Sequence, residues 1–369
     1  MSNALAEYIW IAPKIGEDPF ELRSKARVVN VGENPKIEDF PEWSFDGSST
    51  EQASGNDSDC ILKPATFVTD PIRGEGNFLV LCEVYDTDGE TPHETNTRAK
   101  LRAVLAAGGK DQDPWGGFEQ EYTFYNGKVP LGWPEDGSEP EVGQGPYYCG
   151  VGAGKIAGRD IVEDHARLCL DAGIMFYGIN AEVMLGQWEF QIGYRGNDND
   201  DPGILNGSDH VWLGRWLLER VAEEYGVDVS FANKPIKGDW NGAGMHVNFS
   251  TNDTRDKDKG KAAIKAATDA LAEKHAEHIA VYGEKNDERL TGAHETCDIH
   301  TFKVGDADRG CSIRIPKPVA LKGYGYFEDR RPGANADPYM VSARLCATVF
   351  GVDDSVLSDA AAPVAVAAE

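Results

Sequence analysis

Residues 118–124 read Phe118-Glu119-Gln120-Glu121-Tyr122-Thr123-Phe124. Aromatic and β-branched residues dominate this segment, and Pro114 and two glycines precede it, so it is predicted to be a β-strand. Side chains alternate between the faces of a strand, which places Glu119 and Glu121 on one face and the aromatic residues on the other. Two carboxylates on an apolar strand repel each other and lose hydration. A divalent cation between them would remove both costs. The alternative is a half-exposed strand with two solvated glutamates.

A second pair of glutamates lies in residues 180–190, on either side of Leu185-Gly186. If these two residues form a tight turn, Glu182 and Glu189 face each other across a hairpin. Like charges in that position destabilise the pair unless something neutralises them. The alternative is two exposed glutamates beside a turn. Because this is the second such pair in the chain, it favours a metal site.

His246 and Glu328 extend the set of candidate ligands. Alternation places His246, Asn248 and Ser250 on one face of a strand, and aromatic residues flank Glu328. A lone histidine is more often a structural hydrogen-bonding residue than a ligand. Five glutamates and one histidine nevertheless suit Mg²⁺ or Mn²⁺, which prefer oxygen ligands, better than zinc. Their number is enough for two or three ions.

Several arginines in apolar or glycine-rich surroundings indicate an anionic substrate, because guanidinium groups match carboxylate and phosphate oxygens. They are Arg289, Arg309, Arg314 and Arg330. The alternative is a set of surface salt bridges. Common nucleotide-binding motifs do not apply: Gly154-Lys155 lacks the Ser/Thr of a P-loop, and no apolar strand precedes the glycines at 152–154. A protein of this sequence that used ATP would therefore do so on a different fold.

Length and composition set the broad class. The 369 residues are enough for about two domains, and 41% of them are hydrophobic. A net charge of −26 argues against nucleic acid as a partner, and one hypothesis is that it reflects a salty environment. Seven cysteines without a C-x-x-C pair indicate a reducing compartment. Since neither a long apolar run nor a secretory signal is found, we expect a cytoplasmic protein without a membrane span.

The coarse order of elements predicts two domains. Strand candidates at 8–11, 27–31 and 78–84 give a small, mostly β unit over residues 1–94, and a larger unit over 95–369 follows. In the larger unit the spacing of apolar residues predicts several helices. They are one through Leu101 to Gly108, one over 161–172, one over 210–225 with Asp209 as its cap, one over 261–282 and one over 338–350. The tail from about residue 353 is expected to be disordered.

The chain resembles the glutamine synthetase family, in its shorter, eukaryotic-like type II class, on motifs that run almost from end to end. These are F-D-G-S-S-T at 45–50, N-T-R at 96–98, F-E-Q-E-Y at 118–122, G-P-Y-Y-C-G-V-G at 145–152, G-R-D-I-V-E at 158–163, N-A-E-V-M at 180–184, Q-W-E-F-Q-I-G at 187–193, N-G-A-G-M-H at 241–246, R-L-T-G-A-H-E-T at 289–296, S-I-R-I-P at 312–316 and G-Y-F-E-D-R-R-P at 325–332. An acidic insertion at 197–208, Lys317 and the tail depart from the family pattern.

The resemblance implies an α+β fold: a small N-terminal β-grasp domain, then a catalytic domain with a curved antiparallel sheet flanked by helices. It implies ATP-dependent ligation of ammonia to L-glutamate, giving L-glutamine, ADP and phosphate through γ-glutamyl phosphate. It also implies a homo-oligomer, usually a decamer, with active sites between subunits. Two alternatives are a glutamate ligase for another amine and a non-catalytic homologue that keeps the ring.

The resemblance also implies site residues. One metal ion would be held by Glu121, Glu182 and Glu189, and the other by Glu119, His246 and Glu328. Glutamate would contact Arg289, Arg330, Asn241 and Gly242, and ATP would contact Glu119, Asn248, Ser250, Arg314 and Tyr326. Arg309 would stabilise the moving phosphoryl group. Asp46, from a neighbouring subunit, would take a proton from ammonium, and Glu295 would close over the intermediate on a mobile flap.

Overall fold

A computed structural model describes residues 2–13, 19–108 and 111–358. The first sheet has five strands in the order β2-β1-β5-β4-β3, with β1 and β5 parallel and the other pairs antiparallel. Its strands are β1 Ser2–Pro13, β2 Phe20–Val31, β3 Trp43–Asp46, β4 Asp59–Thr69 and β5 Phe78–Tyr85. The three strands predicted in this part of the chain are all present, and the first two are longer than predicted.

The second sheet has nine strands and holds the motif-bearing segments. Its main order is β12-β13-β14-β11-β6-β9-β8, and β7 and β10 also pair with β6. The strands are β6 Trp115–Asn126, β7 Val129–Pro130, β8 Phe176–Ala181, β9 Gln187–Ile192, β10 Asp228–Ser230, β11 Met245–Ser250, β12 Val304–Asp306, β13 Ile313–Ile315 and β14 Phe327–Asp329.

This sheet is mixed, whereas an antiparallel one was predicted, because β12 and β13 run parallel. Parallel neighbours usually need a long crossover connection. Here each strand is only three residues long, so the short loop between them can return the chain to the same end. All the other pairs in the sheet are antiparallel.

Nine α-helices fall within the described ranges. They are α1 Thr97–Gly108, α2 Arg159–Asp171, α3 Ile204–Tyr225, α4 Asn252–Arg255, α5 Gly260–Glu273, α6 His275–Ile279, α7 Lys317–Lys322, α8 Pro338–Phe350 and α9 Ser355–Ser358. Short 3-10 turns lie at Ile37–Asp39, Gly47–Thr50 and Asn286–Glu288. No helix of the described chain is both long and apolar enough to span a membrane.

Three helix predictions need correction. The helix predicted to begin after Asp209 begins at Ile204, so Asp209 lies inside α3 and forms an ion pair instead of a cap. The helix predicted over 261–282 is divided at Lys274 into α5 and α6. The tail, expected to be disordered from about residue 353, begins with α9, and residues 359–369 lie outside the described part.

The two sheets share one apolar core. Ile9, Ile11, Leu79 and Leu81 of the first sheet belong to the same buried cluster as the residues under the second sheet. The predicted boundary at residues 94/95 lies between β5 and α1 and stays a prediction.

Ion pairs reinforce this junction. Arg98 on α1 donates to Glu83 of β5 at 2.9 Å and to Asp209 of α3 at 2.8 Å. Arg102 holds the other oxygen of Glu83 at 2.7 Å, and the Tyr339 hydroxyl donates to Asp209 at 2.5 Å. Removing one member of a buried network leaves an uncompensated charge, so we infer that these groups hold the small sheet firmly against the helices.

Candidate active site

Strand β6 is the centre of the site. Phe118, Tyr122 and Phe124 are at most 1% exposed and pack into the core. Glu119 and Glu121 line a cavity on the other face of the sheet. The predicted alternation is therefore present. Because β6 lies between β9 and β11, each glutamate has neighbours on both sides.

The first acid cluster consists of Glu119, His246 and Glu328. Glu119 lies opposite His246 in the pairing of β6 with β11, and Glu328 comes from the next strand, β14. The His246 Nδ1 atom is 3.3 Å from Glu119 and 3.6 Å from Glu328. One ligand atom from each residue can be chosen so that all three lie within 4.8 Å of one another.

The second acid cluster consists of Glu121, Glu182 and Glu189, whose chosen ligand atoms also lie within 4.8 Å of one another. Glu189 pairs with Glu121 across β6 and β9. The predicted direct pairing of Glu182 with Glu189 is wrong, because Asn180 occupies that position. The shift is two residues, which keeps Glu182 on the same face.

The longer connection explains this shift. Strand β8 ends at Ala181 and β9 begins at Gln187, so the chain reverses through a five-residue loop rather than a two-residue turn. The Glu182 N–H donates to the Gln187 carbonyl at 2.9 Å, and the Gln187 N–H donates to the Met184 carbonyl at 3.1 Å. Glu182 is the first residue of the loop, and these bonds hold it beside Glu121 and Glu189.

The second cluster binds protons tightly when no cation is present. Burial, followed by the charge of Glu121, raises the pKa of Glu182 to about 8. Burial and the three neighbouring carboxylates raise the pKa of Glu189 well above its usual range, and burial also raises the pKa of Glu121. Three acids with raised pKa values on one cavity wall are typical of a functional site.

Arginines lie beside the first cluster. The Arg330 Nη1 donates to one oxygen of Glu328 at 2.6 Å, and the Arg314 Nε donates to the other. Glu328 is fully buried, so it depends on these two cations for its charge balance. Burial, followed by the charge of Arg330, lowers the pKa of His246 well below its usual value. The histidine is therefore neutral and able to serve as a ligand.

Arg289 is positioned by close packing at the glycine-rich loop before β11. It is 5% exposed, and its Nη2 donates to the Arg330 carbonyl at 3.1 Å. Burial lowers its pKa to about 10, so it stays charged at neutral pH. A Cβ added at Gly242 would meet the Arg289 Cγ at 2.6 Å and the Asn233 carbonyl oxygen at 2.7 Å. Only glycine fits there without a shift of the backbone.

Two adjoining cavities meet at Glu119, a member of the first acid cluster. One, of about 610 Å³, contains both acid clusters together with the predicted residues Asn241, Gly242, Arg289, Glu295, Arg309, Arg314 and Arg330. The other, of about 540 Å³, contains the predicted ATP contacts Glu119, Asn248, Ser250 and Tyr326, together with Trp115 and Arg255. Glu119 and Gln191 line both. The structure thus brings together all the predicted site residues except Asp46.

Asp46 lies on the small sheet and, within the described part of the chain, does not line either cavity. Its carboxylate accepts hydrogen bonds from the side chains of Ser48 at 2.6 Å and Ser49 at 2.7 Å. These bonds lower its pKa to about 2. An exposed carboxylate held ionised in this way is available to a second molecule.

Gln191 and Asn180 are among the polar residues of the site that were not predicted from the sequence. Gln191 lines both cavities and donates to Glu189 at 2.6 Å, and Asn180 donates to Glu182 at 2.9 Å. Gln191 is two positions after Glu189, so the period-2 alternation that identified the glutamates also indicated it. Asn180 required the correct hairpin register.

A sheet that lines one cavity with two acid clusters and several arginines, and that meets a second cavity at Glu119, is typical of a metal-dependent enzyme acting on anionic substrates. Comparison with known proteins makes this specific. Residues 17–87 match the family model "Glutamine synthetase, beta-Grasp domain", and residues 97–281 match "Glutamine synthetase, catalytic domain". The chain belongs to the glutamine synthetase family.

Individual relatives agree over almost the whole chain. It is 51% identical to the chloroplastic glutamine synthetase of Chlamydomonas reinhardtii, over 94% of this chain and 90% of that protein. It is 51% identical to glutamine synthetase of Yarrowia lipolytica, over 94% and 91% of the two chains. The corresponding figures for Saccharomyces cerevisiae are 49%, 95% and 90%.

These findings confirm the predicted family, its type II class, the β-grasp and catalytic architecture and the enzymatic activity. The protein is an enzyme of ATP-dependent glutamine synthesis, and its family uses glutamate, ammonia, ATP and divalent metal. The predicted alternative of a non-catalytic homologue is therefore set aside.

Proposed function

We propose that the two cavities form one continuous active site, with the nucleotide in the cavity beside Trp115 and Tyr326 and glutamate in the cavity beside Arg289 and Arg330. The observation that carries this proposal is the position of β6. It presents Glu119 at the junction of the cavities and Glu121 two residues further into the glutamate side. A phosphoryl group moving from one substrate to the other would cross this junction.

The donor set fits divalent metal. Six ligands, five of them carboxylates, form two groups of three, and the raised pKa values of Glu121, Glu182 and Glu189 show how unfavourable their charges are without a cation. Glu121, Glu182 and Glu189 would hold one ion, and Glu119, His246 and Glu328 would hold another. The oxygen-rich set favours Mg²⁺ or Mn²⁺, with two or three ions per site. When bound, such ions neutralise the charge on the phosphoryl oxygens.

Glutamate would be oriented by its charged groups. Arg289 and Arg330 both line this cavity, and Arg289 packs against Gly242; both guanidinium groups are suited to carboxylate oxygens. The planar fork fixes the direction of a carboxylate as well as attracting it. Glutamate held in this way would direct its γ-carboxylate toward the junction at Glu119.

Phosphoryl transfer would then depend on positioning and on neutralised charge. The γ-carboxylate oxygen attacks the terminal phosphorus of ATP, and the bond to ADP breaks. Arg309 is exposed at the cavity wall, where it would reach the moving phosphoryl group. Arg314 lies beside Glu328, where it would face the nucleotide phosphates.

The second step would require ammonia and exclusion of water. Ammonium would bind to Asp46 of a neighbouring subunit, whose serine hydrogen bonds keep it negative. With a pKa of about 2, this carboxylate is better at holding the cation than at taking its proton until those bonds loosen. Glu295 would cover the intermediate while ammonia attacks the acyl carbon and phosphate leaves.

This arrangement leads us to propose a homo-oligomer, specifically a decamer, in which each site combines two subunits. Asp46, which does not line the cavities of its own chain, supports that reading.

We also propose a cytoplasmic location, because all seven cysteines, which lie in the described ranges, are free thiols. The division at residues 94/95 is proposed as the domain boundary.

Phosphate release from ATP tests this function and its amine specificity. Purified protein with glutamate and Mg²⁺ should release phosphate and form glutamine in equal amounts once ammonium is added. Spermidine, putrescine or methylamine in place of ammonium should give little product. Faster turnover with one of these amines than with ammonium would instead indicate a glutamate ligase for that amine.

A further inference from the structure

The segment that carries Glu295 is held in a strained conformation. His294 and Glu295 have φ angles of 50° and 60°, which is the left-handed region. Non-glycine residues are disfavoured there, and such strain persists only where surrounding contacts enforce it. Two consecutive strained residues at the cavity wall therefore imply a contact that holds them.

His294 makes that contact. Its Nδ1 lies 2.9 Å from the Nε2 of Gln144, whose Oε1 lies 2.5 Å from the backbone nitrogen of Asn241. On its other side, the His294 Nε2 lies 3.1 Å from the carboxylate of Asp239. One side chain thus joins the flap, the loop around residue 144 and the loop 239–241 that leads to the predicted glutamate contacts.

The direction of these hydrogen bonds follows from a single backbone donor. The Asn241 N–H can only donate, so the oxygen of the Gln144 amide must face it. The amide nitrogen then faces His294 and donates, which requires an unprotonated Nδ1. His294 is therefore the tautomer with its proton on Nε2, and it donates to Asp239. Each donor in this chain therefore meets an acceptor. Asn241 donates to Gln144, Gln144 donates to His294, and His294 donates to Asp239.

The two ends of this chain differ in strength. Asp239 is fully exposed, and an exposed ion pair contributes little because water screens it. The Gln144 bond is partly buried and connects to a backbone group. Gln144 is therefore the more important partner of His294.

We propose that His294 is a positioning residue that latches the flap to the glutamate-binding loop and so keeps Glu295 over the intermediate. The proposal rests on the role of Glu295 proposed above. With the latch intact, water would be excluded while ammonia reacts. With the latch broken, water would reach γ-glutamyl phosphate and hydrolyse its acyl-phosphate bond, which returns glutamate and phosphate without glutamine.

The ratio of phosphate released to glutamine formed tests the latch, since a role limited to stability would not change it. Wild-type protein should give a ratio of one. His294→Ala should raise the ratio to two or more at low ammonium and lower kcat at least about fivefold, and Gln144→Ala should do the same. His294→Asn should restore much of the coupling, because asparagine tolerates the left-handed region and places an acceptor near the Nδ1 position.

His300→Ala is the matched control. It removes the same side chain from an exposed position six residues later that does not line the cavity, and it should keep a ratio of one. Asp239→Ala should have little effect. Equal thermal midpoints and equal oligomer size across the variants would show that misfolding does not cause the differences in the ratio. If His294→Ala does not fold, Gln144→Ala still tests the latch.

A fully coupled His294→Ala and Gln144→Ala pair with wild-type kcat would overturn the latch. The same ratio measured for Glu295→Ala distinguishes the proposed role of Glu295 from the proposed role of the latch. If Glu295→Ala uncouples the reaction and the other two do not, Glu295 has its proposed role and the latch is wrong. If Glu295→Ala also stays coupled and active, the proposed role of Glu295 itself fails.

Discussion

Glu182→Gln should make the metal-free protein more stable at neutral pH while removing its activity. The substitution keeps the shape of the side chain and its hydrogen bond from Asn180 but cannot ionise. In the wild type, the pKa of Glu182 is about 8 in the folded protein against a usual 4.5. The folded state therefore binds this proton more tightly than the unfolded state does, and the free energy of unfolding must fall as pH rises through this interval.

The size of the effect follows from the pKa difference. At pH 7.5 Glu182 is ionised in the unfolded chain but still mostly protonated in the folded metal-free protein, and this difference costs at most roughly 4 kcal/mol of unfolding free energy, at about 1.36 kcal/mol for each pKa unit. Glu121 and Glu189 share the same space, so a proton on either of them relieves part of this cost. We therefore expect Glu182→Gln to gain roughly 2 kcal/mol at pH 7.5 and almost nothing at pH 4.5, since the unfolded wild-type chain then also takes up the proton.

Urea unfolding in EDTA and in saturating Mg²⁺, at pH 5 and 7.5 and at one protein concentration, measures this directly. In EDTA the variant should unfold at higher urea than the wild type at pH 7.5, and the gap should narrow at pH 5. In Mg²⁺ the order should reverse, because only the wild type keeps the full ligand set. Glu277→Gln, an exposed substitution on α6, is the control. A gap that is the same at both pH values in EDTA would refute the reasoning.

Three further predictions concern substrate binding, assembly and stability. Arg330→Lys should lower kcat/KM for glutamate at least about tenfold, or about 1.4 kcal/mol, because a point charge cannot replace the fork; wild-type kinetics would place Arg330 outside the substrate site. Asp46→Ala and Glu121→Ala proteins should each be inactive, but rings formed by co-expression should regain activity at about a quarter of their junctions; no recovery in verified mixed rings would show that each chain supplies its own Asp46. Arg98→Met should lower the free energy of unfolding by roughly 3–5 kcal/mol, because it leaves Asp209 buried with only a hydroxyl partner; an unchanged urea midpoint would show that the junction does not depend on this ion pair.

The sequence predicted the site best where one local rule was enough. The alternation of Glu119 and Glu121 with aromatic residues depends only on the two-residue period of a strand, and the structure has it. The prediction of the hairpin register was wrong because it assumed a two-residue turn, and the length of the turn determines the register. The face of Glu182 was still predicted correctly, because the true register differs by an even number of residues.

Long-range contacts were beyond such rules. Aspartate is a residue type that favours helix caps, yet the charge of Asp209 is balanced by Arg98, 111 residues earlier in the chain. The latch joins His294 to Gln144 across 150 residues, and neither residue stands in a periodic pattern. A residue selected for one specific distant partner leaves no repeating signal, so only the fold could bring these pairs into view. The assignment of Asp46 to a neighbouring subunit came from the resemblance alone and remains a prediction.

The central strand and the Glu295 loop differ in rigidity, and we expect each to suit a different role in the site. Glu119 and Glu121 are two residues apart on the central strand, so their attachment points are separated by about 7 Å in a sheet that is paired on both sides. The spacing between Glu119 and Glu121 is therefore set by the backbone of one strand, and of the six clustered residues only Glu182 lies on a loop. Glu295 lies on a strained loop whose position depends on hydrogen bonds from side chains. In the proposed mechanism, the strand would hold the groups that must not move during phosphoryl transfer, whereas the latched loop would open to admit substrates. The same chemistry with Glu119 and Glu121 on loops would lose the fixed spacing, and with Glu295 on a strand the proposed flap could not open.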